Sequence, residues 1–128
     1  MKKYTLALLV FLVSLPILGT AQITPPGVIA DIPFSFMVAG KSLPAGSYSF
    51  SENAATDTIT VMSMTGKQSL MPPILTRLSP RSGDEAQVVF DVVGTDHYLS
   101  EIFMPGLDGF GLKGAPAKHT HTIIKGKK

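Results

Sequence analysis

Histidines, paired carboxylates and clustered glycines are the residues of this chain whose spacing suggests chemistry. His119 and His121 form its one His-x-His pair. On a strand, residues two apart share a face at about 7 Å, so both rings could reach one ion. Zinc centres use at least three protein ligands, and the sequence marks no third beside these two. Two solvated histidines on a polar terminal strand are the simpler reading, with at most weak nickel or copper binding in vitro. Asp96-His97 with Glu101 suggests a general base, but adjacent residues on a tight turn point to different sides. No Gly-x-Ser-x-Gly elbow supplies a nucleophile. A polar turn accounts for Asp96 and His97. Glu101, between Ser100 and Ile102 in an apolar run, reads as facing solvent or pairing across a sheet with Lys or Arg.

Asp84-Glu85 lacks the further oxygen ligands of a calcium loop. The glycines of Gly106-Leu107-Asp108-Gly109-Phe110-Gly111 lack the Lys-Ser/Thr ending and following helix of a phosphate loop. With no cysteine in 128 residues, disulfides, thiolate metal sites, thiol nucleophiles and a lipidated N-terminal cysteine are all excluded. The sequence therefore predicts no catalytic, cofactor-binding or metal site, and a chain that is not an enzyme.

The elements that would position any site begin after an export signal. Lys2-Lys3, the uncharged run Leu6 to Leu18 and Gly19-Thr20-Ala21 form a three-part secretory signal, predicting cleavage after Ala21. The apolar run is shorter than the roughly 18–20 residues of a spanning helix, so no stable membrane insertion is expected after cleavage. Removing 21 of 128 residues takes two of eleven basic side chains and leaves nine against nine acidic, a formal charge of zero. The apolar share falls to roughly 41%, ordinary for a globular domain. The basic balance thus belongs to the signal, and a nucleic-acid partner is not indicated.

The mature part reads as all-β: a single small antiparallel β-sandwich or barrel of about six to eight strands. A Pro-rich lead, 22–30, precedes a β domain, 31–117, and a basic tail, 118–128, that forms a last edge strand or stays mobile. Period-two alternation runs through Asp31–Val38, with Ile32, Phe34, Phe36 and Val38 on one side. Pro33 cannot donate to a ladder, which places that strand at an edge or leaves it paired on one side there. Tyr48 and Phe50 share a face, Thr58–Ser63 alternates again, and a weaker strand follows around Ile74–Leu78. Gln87–Val93 and Tyr98–Met104 make the clearest hairpin, joined across Gly94–His97.

Two blocks carry a family resemblance. Ile32-Pro33-Phe34-Ser35-Phe36-Met37-Val38 with Gly40-Lys41-Ser42-Leu43-Pro44-Ala45-Gly46-Ser47-Tyr48, and Val88-Val89-Phe90 through Gly94 to Leu99-Ser100-Glu101-Ile102, resemble a group of small exported β proteins common in acidobacterial genomes. The resemblance implies export and a β fold and transfers no catalytic residue. The expected function is an envelope or extracellular binding or structural module, in the periplasm or outside the cell, that contacts a protein partner or itself through an exposed strand edge. The alternative is a carrier with an apolar pocket between sheets for a small ligand. A metal-assisted hydrolase centred on His119 and His121 ranks last.

Overall fold

The computed structural model describes residues 27–80, 85–105 and 107–127. The export signal read at 1–21 and Asp84 lie outside them. The described residues form eleven strands: β1 (Gly27–Ile32), β2 (Phe36–Val38), β3 (Lys41–Leu43), β4 (Gly46–Asn53), β5 (Thr58–Ser63), β6 (Ser69–Leu70), β7 (Thr76–Leu78), β8 (Gln87–Val93), β9 (Asp96–Phe103), β10 (Gly109–Gly111) and β11 (Thr120–Lys125). No described helix is long and apolar enough to cross a membrane. The strands build a sandwich of two sheets. One runs β1-β4-β5-β6; the other runs β11-β8-β9-β10-β7, with the β2–β3 hairpin joined to β9.

The alternating segment read as one strand over 31–38 is two. β1 starts at Gly27, inside the expected lead, and stops at Ile32; after Pro33–Ser35 the chain enters the other sheet as β2. Pro33 therefore marks the crossing between sheets. Parity survives the jump because both inner faces meet one core. Val28, Ala30 and Ile32 are buried from the first sheet, and Phe36 and Val38 from the second. Phe50, Ile59, Val61, Val88, Phe90, Leu99 and Ile102 complete the layer between them.

The Leu-Pro-Ala-Gly-x-Tyr bend has a packing reason. Tyr48 is 1% exposed, and its hydroxyl donates to the Pro44 carbonyl at 2.6 Å, closing the bend between β3 and β4. Burial pushes the Tyr48 phenol above its ordinary ionisation range. Tyr48→Phe should keep the ring packing and strand one carbonyl, costing about 1 kcal/mol in urea denaturation. A cost near zero would show that the bend is held by the ring alone.

The expected terminal strand is firmly paired. Thr120 to Lys125 run antiparallel to β8 in continuous register from Val92 to Gln87. Beyond it, the Gly126 amide donates to the Ala86 carbonyl at 2.8 Å and the Lys127 amide to the Ile29 carbonyl at 2.7 Å, drawing the tail against β1. Lys127 Nζ lies 2.8 Å from Asp31 Oδ2, and the Ser47 hydroxyl donates to Asp31 Oδ1. Hydrogen bonds from Lys127 and then Ser47 hold the Asp31 carboxyl below its ordinary 3.8. A depressed carboxyl stabilises the fold above its unfolded-state pKa, and that contribution is lost as pH falls through the lowered value. The drop in urea midpoint between pH 7 and pH 3 should therefore be smaller in Asp31→Asn than in the parent. An equal drop would remove Asp31 from the acid response.

The hairpin β8–β9 has a tighter turn than the sequence suggested. Val93 pairs with Asp96, leaving Gly94-Thr95 as the connection, and Gly94 has the positive φ of 61° that a type II′ turn needs at its first position. The register shifts between Val89 and Phe90, so Ser100 is an extra residue on β9.

Candidate functional site

Two features converge on the end of the second sheet where β9 changes neighbours. β2 meets β9 in parallel at Met37↔Tyr98, while β10 pairs with it at Ile102 and Glu101. Between these two short partners the flank of β9 has no strand beside it. The chain leaving β10 fills part of the opening: the Leu112 amide donates to the Ser100 carbonyl at 2.8 Å. From there a strap, 112–118, passes over the outer face of β8 and β9 before β11 begins.

The remaining space is a cleft of about 490 Å³, within the range of small-ligand pockets. The β2–β3 turn forms one wall, Pro72, Pro73 and Leu75 a second, Tyr98 and Leu99 the floor, and the strap at Leu112–Gly114 and Pro116 the third. The lining is mostly apolar, and Lys113 is its one charged side chain. Leu75 is 61% exposed at the lip. Across the cleft Ala39 holds a φ of 49° and Gly40 one of 79°, the pair of positive angles a two-residue type I′ hairpin demands. Gly40 takes this readily; Ala39 does so against its β-carbon.

The strap is fastened by Asp91. Phe90 points into the core, so Asp91 points to the outer face of β8, yet it is 3% exposed because the strap covers it. Asp91 Oδ2 accepts the Ala115 amide at 2.9 Å. A β-carbon on Gly114 would lie 2.0 Å from the same oxygen, so only glycine permits this approach. His121 is the direct cross-strand neighbour of Asp91, and His119 arrives from the end of the strap. Asp91 Oδ1 lies 3.2 Å from His119 Nε2 and 3.1 Å from His121 Nδ1.

The structure therefore gives the His-x-His pair the third candidate ligand that the sequence did not mark. Asp91 stands in the apolar run Val88–Val93, and its charge at an outward position was the available signal. Which residue faces it across the ladder was not readable.

The other candidates do not converge. Asp96 is exposed, whereas His97 turns inward and stacks on Phe34 at a centroid distance of 3.7 Å. It is an aromatic packing residue rather than part of a solvated turn. Glu101 lies opposite Val89 on the outer face. Glu85 pairs with Lys125 at 3.3 Å, and Gly109 and Gly111 belong to β10, where Phe103 and Thr76 crowd them. Arg77 of β7 joins the two sheets, 2.9 Å from Glu52 and 3.2 Å from Asp57, with its guanidinium over the Phe110 ring. Compared with protein-family models, with curated proteins and with solved structures, the chain gives no significant match.

Proposed function

We propose that this chain is an exported, non-enzymatic β-sandwich that binds a small apolar or amphipathic molecule in the cleft between β2, β9 and the strap. The cleft carries the reading: it is of ligand size, lined by proline and leucine side chains and by Tyr98, and open at Leu75. A single cation at its edge, Lys113, suits a ligand with an anionic end. Export rests on the basic, apolar and small-residue segments at 1–21.

Contact through a free strand edge has less behind it. Pro33 lies between strands, and the terminal strand is bonded along its length to β8. The Lys127 amide also bonds to β1. Of the outer strands, β3, β6 and β7 are three residues or shorter, a length that blunts strand addition; β1 and β11, six residues each, are the longer edges, and the tail already bonds to β1 at Ile29.

An anionic amphipathic dye such as anilinonaphthalene sulfonate should bind the folded protein at one site and be displaced by a medium-chain fatty acid. Leu75→Asp and Leu112→Asp should each weaken that binding at least tenfold. Absence of dye binding to folded protein, or binding by both variants equal to the parent's, would overturn the cleft as a ligand site.

A further inference from the structure

We infer that Asp91, His119 and His121 form a binding site for a divalent transition-metal ion of the zinc class, independent of the ligand proposed for the cleft. The first support is an oxygen without a partner. Asp91 Oδ1 is buried and makes no hydrogen bond, although two imidazole nitrogens stand within 3.2 Å of it. A buried carboxylate oxygen left in that state is costly. An ion among the three atoms would satisfy it.

The second support is the orientation of His119. Its Nδ1 lies 2.9 Å from the Ala117 carbonyl, and a carbonyl can only accept, so Nδ1 carries the proton. In the neutral ring Nε2 is then a lone pair directed at Asp91 Oδ1. Two acceptors facing each other are reconciled by a cation between them or by a second proton on the ring. A metal-bound histidine that donates its other N–H to a backbone carbonyl is the usual outer-shell arrangement around such ions. Asp91 is steadied in the same way, because its second oxygen is occupied by the Ala115 amide.

Dimensions agree. Two ligands bonded at about 2.0–2.1 Å with tetrahedral angles stand about 3.3 Å apart. The Asp91–His119 and Asp91–His121 separations, 3.2 and 3.1 Å, are close to this. All three donor atoms fall within 4.8 Å of one another, and the two exposed rings, packed edge to face at 4.9 Å, need only small rotations to close the set. One carboxylate and two imidazoles leave a fourth position for water, and this donor set suits zinc, copper or nickel rather than calcium or magnesium. The cation would join β8, β11 and the strap.

Isothermal titration of chelator-stripped protein with zinc chloride tests this, with cobalt(II) absorption reporting the coordination geometry. One equivalent should bind with micromolar or tighter affinity, and cobalt should give the intense visible bands of a four-coordinate site. His119→Ala, His121→Ala and Asp91→Asn should each weaken zinc at least tenfold. The histidine variants, altered at exposed positions, keep the test meaningful if Asp91→Asn fails to fold. Folded Asp91→Asn that binds like the parent would reduce the site to the histidine pair and overturn the proposal. So would absence of stoichiometric binding, or binding unchanged in the double-histidine variant, with the carboxylate then serving two imidazolium partners.

Discussion

Gly114→Ala should destabilise the fold by about 3 kcal/mol, from overpacking together with a buried carboxylate that loses its amide donor. The added β-carbon would sit 2.0 Å from Asp91 Oδ2 and 3.1 Å from Ser100 Oγ. Asp91 is buried and the same oxygen holds the Ala115 amide. Whether the carboxylate swings aside or the strap lifts, that bond is broken. Equilibrium urea unfolding followed by tyrosine fluorescence measures the loss. Lys118→Ala, at an exposed position on the same strap, should change stability by no more than about 0.5 kcal/mol. If Gly114→Ala matched that control, the strap would not be seated on β8, and the third wall of the cleft would lose its anchor.

The second large effect is expected at Phe90. Its ring is fully buried and meets Phe34 edge-on at 5.0 Å and Phe36 at 5.3 Å. Phe36 in turn packs edge-on against Tyr48, and Phe34 carries His97. Phe90 thus links the β2 hairpin, the Tyr48 bend and the central hairpin in one aromatic group. Phe90→Ala should cost about 4 kcal/mol, from lost transfer energy, an unfilled cavity and two lost ring pairs. A chain of this size has roughly 5–15 kcal/mol in total, so the variant should sit near the edge of folding at 37 °C. Phe90→Leu keeps most of the volume and should cost about 1.5 kcal/mol. Equal midpoints for the two variants in thermal unfolding would contradict a role for ring geometry and cavity volume here.

Strand content was legible because one inner face must be apolar, and period-two patterns at 58–63 and 87–93 report that directly. Sheet membership was not. Ile32 and Phe36 have the same parity and belong to different sheets, since the pattern records facing the core and is silent on which side supplies the strand. β10 was hidden by its own glycines. Gly109 and Gly111 look like loop residues, and they are strand residues whose missing side chains admit Phe103 and Thr76. The site was half visible. The His-x-His spacing placed two rings on one face, but Asp91 joins them through the β8–β11 register, a long-range pairing that no local pattern contains. The cleft was expected only in kind, as apolar space between sheets; it lies instead where β2 and β10 share the flank of β9.

The bond from the Lys127 amide to the Ile29 carbonyl bears on how fast this molecule can reach its native state. It joins the first described strand to the residues just after the last one, so its closure carries the entropic cost of a loop that spans almost the whole described chain. The β8–β9 hairpin can form locally in microseconds, but the parallel meeting of β2 with β9 and the final closure at residue 29 cannot. Chains dominated by such distant pairings fold in milliseconds to seconds. Until then β8 exposes the edge that β11 later covers, and that interval is when the protein is most open to misassembly.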